Sequence, residues 1–350
     1  MRRVVDSGRS PATLAVVAAR SGVSAKTVSR VINNEPGVRA ETRARVLAAI
    51  QQLDYQPNLA ARGLAGDRSF LIGLFYDQPG DYLSEFQTGA VQRCHESNLH
   101  LMIEPLEASS PDLRRHLSTL IRQLRLEGVI LLPPLGDLPA VHATLAAADV
   151  PAVLIAPMHA RLDAPVVDTD DRAAARDLTG ALLERGHRRI AFMRGRPSHR
   201  ATEQRYLGFA DAMRAHGVDI DAALVQSGNF EFAEGLECAR RMLSHRPRPT
   251  AIFASNDDMA AAAVSAARQL SLALPEQLSV VGFDDAPVAT MIWPQLTTVR
   301  QPVRTLGRVA ADLISEYQPH RHGWPQPAPR RRVPLEMIIR GSIGTAPADA

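Results

Sequence analysis

From Phe70 onward the chain alternates short apolar runs with amphipathic stretches: FLIGLFY (70–76), HLMIEPL (100–106), GVILLPP (128–134), PAVLIAP (151–157), RIAFMRG (189–195), TAIFASND (250–257) and LSVVGFDD (278–285). A strand buried on both sides shows no polar alternation. Near-continuous Val/Ile/Leu runs between helical stretches therefore predict parallel sheets covered on both faces, and the length suits two doubly wound halves. The first 56 residues read differently. Thr13 is a good N-cap for a helix from Leu14 to about Arg20, Ser21-Gly22-Val23 makes a tight break, and Ser24 caps a second helix. Leu14, Val17 and Ala18, with Val23, Val28 and Ile32, have the spacing that buries one stripe between the two helices. A third helix is expected from Ala40 to about Leu53, with Val46, Leu47, Ile50 and Leu53 as its buried stripe. Pro57 then breaks the chain, and Asn58 can cap one or two further turns up to Gly66, too short to hold alone in water.

Composition adds limits. At 350 residues and 45% hydrophobic the chain can bury real cores. Two cysteines, Cys94 and Cys238, are too few for a disulfide framework or a four-ligand zinc site, which fits a reducing compartment. Neither a signal-like apolar region nor a window of roughly 18 uncharged apolar residues is present, so the expectation is a cytoplasmic protein without a membrane partner. Charge is unevenly divided: residues 1–66 hold ten bases against four acids, the remainder thirty against thirty-three. A basic head on a faintly acidic body suits a protein whose head meets a polyanion.

The face of the second helix opposite its buried stripe carries Ala25, Lys26, Ser29 and Arg30, and Lys26 is the only lysine in the sequence. Lys26 and Arg30 are four apart and point the same way, while Ala25 is small enough to let the helix start lie close to a surface. Ser24, Thr27, Ser29 and Asn33 offer donors suited to phosphates, with Thr13 and Asn58 as further candidates at helix starts. On this reading Lys26 reads base edges in a major groove; the bland alternative is a solvated face. The segments TLAVVAARSGVSAKTVSRVIN and NLAARGLAG resemble the head and hinge of the LacI family of transcriptional regulators, and the resemblance runs nearly end to end. It implies that Ala25, Lys26 and Arg30 occupy base-contacting positions and that Leu64 is the hinge leucine that wedges into the minor groove.

The implied fold is a small all-α helix-turn-helix head with a hinge helix, followed by an α/β core of two doubly wound parallel-sheet subdomains similar to periplasmic binding proteins. The expected division is a DNA-binding domain over 1–56, a hinge over 57–68 and a core over 69–343. Within the core, one subdomain takes about 69–169 plus 301–328 and the other 170–300 plus 329–343, leaving 344–350 as a disordered tail.

Ligands of such sheets bind at the carboxyl ends of strands. Asp77, the pair Asn256 and Asp257, and the pair Asp284 and Asp285 follow apolar runs, and QRYLGF places Arg205 at a helix start. Carboxylate and amide acceptors with a forked guanidinium can bracket ring hydroxyls, and Tyr82 or Phe230 can stack on an apolar sugar face. The resemblance matches Arg205, Phe230, Asn256 and Asp284 to effector-contacting positions; Asp77, Tyr82 and Gln301 are further candidates, and Asp170 reads as a helix cap. The run YDQPGDYLSEF departs from the asparagine-proline-aromatic pattern usual in the family after the first core strand.

An enzyme is the competing class, but GxGxxG after a strand, GxxxxGK[ST], GxSxG and HExxH are all missing, the eleven histidines show no metal spacing, and no cofactor is implied. An exported sugar-binding protein would have no use for the basic head. The reading is a sequence-specific regulator, a repressor in the family's usual sense, released from a near-palindromic operator by a sugar. A purine or other corepressor is the alternative ligand. One small head supplies few contacts, so a homodimer is expected, and the end IGTAPADA offers no leucine heptad for a tetramer.

Overall fold

The computed structural model describes residues 12–32, 36–55, 69–159, 163–316 and 324–348. The chain divides into two compact units, one up to Ser69 and one from Phe70. In the first, α1 (Leu14–Ser21) is capped by Thr13, whose side chain accepts from the Val16 amide, and it ends at Gly22 in the left-handed conformation that the break requires. Helices α2 (Ala25–Ile32) and α3 (Ala40–Gln52) follow. Val17, Ala18, Val28, Val31, Val46, Ala49 and Tyr55 are buried together. Leu47, expected in the stripe, is 51% exposed. A 3.6-residue period groups positions 46, 49, 50 and 53, and Leu47 lies one step round the helix, so Ala49 takes its place.

The second unit contains two parallel sheets. The first has the order β11-β5-β4-β3-β1-β2, built from β1 (Leu71–Tyr76), β2 (His100–Pro105), β3 (Gly128–Leu131), β4 (Ala152–Ile155), β5 (Val166–Asp168) and β11 (Arg330–Arg332). Ile72 and Leu74 of β1 face α4 (Asp81–Glu96) and α12 (Val303–Glu316). Phe75 faces the other way, with α5 (Leu113–Leu124) and α6 (Pro139–Ala147). The second sheet runs β7-β6-β8-β9, from β6 (Ile190–Arg194), β7 (Val225–Ser227), β8 (Ala251–Ala254) and β9 (Ser279–Val281). Helices α7 (Asp171–Glu184) and α8 (Arg200–Ala215) cover one of its faces, and α9 (Phe232–Ser244) and α10 (Asp257–Gln269) the other. A short helix α11 (Val288–Met291) precedes β10 (Thr298–Arg300), which pairs antiparallel with β12 (Glu336–Ile338). Among the described residues no helix is long and apolar enough to cross a membrane.

Two expected boundaries move. Strand β11 runs parallel to β5 in the first sheet, so the chain returns to the second half after Arg332, not after residue 328. The reason is electrostatic. The buried carboxylate of Asp168, at the end of β5, accepts from Arg330 and Arg332, with Arg200 of α8 3.9 Å away. The tail also differs. Gly344 donates to Ser279 Oγ at 2.9 Å, and its carbonyl lies 3.1 Å from His187 Nε2; Ala346 donates to the Arg185 carbonyl at 2.9 Å. His187 is buried, and burial lowers its pKa, so its neutral ring donates to Gly344 and accepts from Thr250 at 2.9 Å. The segment up to Ala346 is thus tied down by hydrogen bonds that no local pattern announces.

Helices α4 and α12 meet backbone to backbone. A Cβ at Gly89 would stand 1.9 Å from the Arg304 carbonyl oxygen, and one at Gly307 2.1 Å from that of Phe86. Gly180 in α7 has open space at the same position. Gly89→Ala should therefore lower stability by about 1–3 kcal/mol through overpacking, whereas Gly180→Ala should be neutral or raise it by up to about 1 kcal/mol, since glycine costs that much inside a helix. Thermal unfolding of the two variants checks this, and equal midpoints would refute the close crossing.

Candidate functional site

In the head, Ser24 Oγ accepts from the Thr27 amide at 3.2 Å and lies 2.9 Å from Thr27 Oγ1, fixing the start of α2. Ala25 and Lys26 stand exposed on its first turn; Ser29 and Arg30 are half-buried one turn on. The Arg30 guanidinium reaches back to the Pro36 carbonyl at 3.1 Å. Thr13 is exposed at the start of α1. Ala25, Lys26, Ser29 and Arg30 therefore share the side of α2 away from Val28 and Val31. Asn33, Asn58 and Leu64, with the whole segment expected as a hinge, lie outside the described residues.

In the core, the strand order reverses beside β1 in one sheet and beside β6 in the other, and carboxyl ends converge at such points. Arg205 is central. It lies five residues into α8, not at its start, because the helix begins at Arg200 with His199 as its N-cap residue. Arg205 is 3% exposed. Its Nε donates to Asp171 Oδ1 at 2.8 Å, its Nη1 to the Ser255 carbonyl, and its Nη2 lies 3.5 Å from Asp284 Oδ1. The guanidinium also lies 3.7 Å from the Phe283 ring centroid. Asp284 follows β9 with φ 114°, a conformation rare for anything but glycine. It is held there by its amide bond to the Val299 carbonyl at 2.8 Å and by Gln301, whose Nε2 donates to Asp284 Oδ1 at 2.6 Å. Asp285 turns the other way, to Arg300 at 2.8 Å and Arg340 at 2.6 Å, so the adjacent acids are not a pair.

Asn256 caps α10, its Oδ1 accepting from the Met259 amide at 3.0 Å and its Nδ2 donating to the Phe230 carbonyl at 3.1 Å. One hydrogen of that amide is left for a ligand. Phe230, with φ 64°, lays its ring against Gly195, where a Cβ would be 2.0 Å away, and meets His199 edge-on at 5.8 Å. From the first half, Tyr82 at the start of α4 stacks on Phe86 at 6.2 Å. Burial, then Asp171 and Asp284, raise the Tyr82 pKa, partly offset by Arg205. Asp77 accepts from the Ala108 amide at 2.8 Å and is close enough to His199 to favour its charged form. Arg205 and Gln301 are thus in direct contact with Asp284, Asn256 binds the Phe230 backbone, and from the first half Tyr82 lies near enough to Arg205 and Asp284, and Asp77 to His199, for their charges to be felt.

Two members, Asp171 and His199, escape sequence reasoning, and Asp257, noted with Asn256 at the end of the run TAIFASND, lies deeper than its neighbour. Asp171, buried against Arg205, follows the three-residue strand β5, to which the carboxyl-end rule applies but which is too short to recognise; Asp170 beside it caps α7 as expected. Asp257 is fully buried, accepting from Thr298 Oγ1 at 2.7 Å and the Ala286 amide at 2.8 Å, and burial with Asp284 nearby pushes its carboxyl up to about 8. His199 is driven down to about 4 by burial and then Arg196. Burial likewise raises Asp284 to about 6 against the pull of Arg205 and Gln301. Among the described residues no group of three or more His, Cys, Asp or Glu could hold a metal ion. The arrangement offers acceptors at Asp284, Asp171 and Gln301, donors at Arg205 and Asn256, and aromatic faces at Tyr82 and Phe230, which suits a hydroxyl-rich ring.

Because its folded pKa is raised, Asp284 keeps a proton that the unfolded chain loses near 3.9. Its contribution to stability should therefore be fullest below about pH 4 and decline as the pH rises to about 6. The unfolding midpoint of the wild type minus that of Asp284→Asn should fall over that window and then level off, and a pH-independent difference would contradict the raised value.

Comparison with known proteins follows the same division. The model of bacterial regulatory proteins, lacI family, matches residues 13–58, and that of the periplasmic binding protein-like domain matches 179–343. The chain is 33% identical over 306 residues to the ribose operon repressor of Escherichia coli K12, covering 87% of this chain and 92% of that one. It is 31% identical over 310 residues to catabolite control protein A of Priestia megaterium, with the same coverage. Its fold is similar to that of the lac repressor dimer bound to operator and the anti-inducer ONPF, at a TM-score of 0.77, 28% identity, and 95% and 99% coverage.

Proposed function

The chain belongs to the lacI family of bacterial regulatory proteins, and from that premise we propose that it is a dimeric repressor that a sugar releases from its operator. It is a DNA-binding transcriptional regulator with a small-molecule effector. The observation that carries the sugar reading is the Arg205 constellation. A buried guanidinium held by Asp171 and Asp284, with Gln301, Asn256, Phe230 and Tyr82 around it, brackets ring hydroxyls and offers an apolar face. Relatives point the same way: one is named for a ribose operon, and a similar regulator, at a TM-score of 0.71, is solved with cellobiose. Dimerisation has its own support. Met291 and Trp293, two residues apart in the second half, are 78% and 76% exposed, large apolar side chains that a partner subunit would cover. Two heads related by two-fold symmetry then meet a near-palindromic site.

On the DNA side, Lys26 and Arg30 read bases, and Ser24, Thr27 and Ser29 face phosphates. Lys26→Ala should cost about 1–3 kcal/mol at the operator and relax specificity at one base pair. Selection from randomised DNA reads this directly, and an unchanged consensus would remove Lys26 from the readout.

On the effector side, a ligand shifts operator affinity only by its differential affinity for the two states, and coupling of about 1–3 kcal/mol weakens operator binding roughly 5- to 150-fold. Asp284→Ala should bind operator normally yet fail to be released by sugar. Operator titrations with and without saturating sugar check both statements, and the same affinity for wild type under both conditions would end the inducer mechanism.

A further inference from the structure

We propose that the effector is an uncharged, hydroxyl-rich sugar, and that the phosphorylated or carboxylated form of the same sugar is rejected, because among the described residues the site has no uncompensated positive charge to offer. This rests on the sugar reading of the Arg205 site. Arg205 is the one buried arginine among the described residues, and it stands between two carboxylates, Asp171 at 2.8 Å and Asp284 at 3.5 Å. Its remaining N–H groups can donate to a hydroxyl, but its charge is already met. The neighbouring bases are paired as well: Arg196 with Glu231 at 2.5 Å, Arg194 with Glu203 at 2.7 Å, and Arg200 with Asp168 at 3.9 Å. His199 adds nothing at neutral pH, since burial and Arg196 bring it down to about 4.

Helix N-termini are the other usual receptors for anions, and at five helices of the core the chain's own acids sit in the first turn. The first turns of α4, α7, α8, α9 and α10 carry Asp81, Asp171, Glu203, Glu234, and Asp257 with Asp258. Asp81 of the first half and Asp258 of the second are close enough that, after burial, Asp81 is the largest influence raising the Asp258 pKa, followed by Glu231. An incoming phosphate would meet like charge there and a compensated guanidinium within. A neutral hydroxyl meets carboxylates that accept from it.

The test uses the full chain and matched probes: ribose, glucose, galactose and cellobiose, each against its phosphate ester, with gluconate as the carboxylated member. Unfolding midpoint and operator release are measured for each. The expected result is that at least one neutral sugar raises the midpoint and releases operator, while its ester binds at least tenfold more weakly. An ester that binds as tightly as its parent, or more tightly, overturns the charge argument and leaves the sugar reading standing. No response to any probe, with operator binding intact, overturns the sugar reading and this inference with it. As a second measurement, Asp258→Lys should narrow the gap between neutral sugar and ester by severalfold, and an unchanged gap counts against the charge argument.

Discussion

A guanidinium cannot be taken out of water without counter-charge, and the Arg205 site is arranged around that requirement. Leaving one buried charge uncompensated costs several kcal/mol, far more than the pair gains over apolar residues of similar volume. Arg205 therefore dictates its surroundings: Asp171 at the first turn of α7, the Ser255 carbonyl after β8 and Asp284 after β9 all converge on it. Three strand ends and two helix starts are held in register by one side chain. On the proposed sugar reading the same residues meet the ligand, and a site organised before the ligand arrives reduces the entropy lost on binding.

A second buried charge does comparable work at the crossings between the halves. Asp168 ends β5 in the first sheet, and its carboxylate gathers Arg330 and Arg332 from β11 and faces Arg200 at the start of α8. Arg332 extends the link to Asp170, the cap of α7. Each of these arginines is partly exposed, so each pair alone is weak in water. Asp168 itself is 2% exposed, and a buried carboxylate needs the set. The start of α8, five residues before Arg205, is thus tied to the end of the first sheet.

The sequence made the large divisions legible for a physical reason: core strands buried on both faces and the two-helix head both announce themselves through period. What it hid was short or non-local. Strand β5 is three residues long, so the rule that found Asp77 and Asn256 could not be applied to Asp171. Strand β11 is RRR, exposed along its length, and a carboxylate 162 residues earlier binds it where it pairs with β5 in the first sheet. Residues 344–346 look like a polar tail until His187 and Ser279 supply partners from far away. Leu47 falls outside the buried stripe of its helix, because its neighbour Val46 and the small Ala49 fit the turn-to-turn spacing better. The effector candidates were proposed because they sit at the ends of recognisable strands, or through a family resemblance; His199 had neither signal.

The packing also constrains where motion can occur. Helices α4 and α12 touch backbone to backbone at Gly89 and Gly307, a contact that tolerates no sliding by even a methyl group, so Tyr82 at the start of α4 and Val303 at the start of α12 belong to one rigid layer. Val303 follows Gln301 by two residues, and Gln301 grips Asp284 through both its side chain and its backbone amide. A ligand that alters the Asp284 environment therefore acts where the rigid first layer is joined to the second half. Interior packing of this density does not deform by degrees, so a response must be taken up at the crossings beside Asp168, Arg300 and Arg332. Asp284 is suited to that position: φ 114° stores roughly 1–3 kcal/mol of backbone strain, of the same order as the coupling free energies that allosteric ligands work with. A rearrangement that relaxed that strain would contribute to the balance between the two states without any new contact.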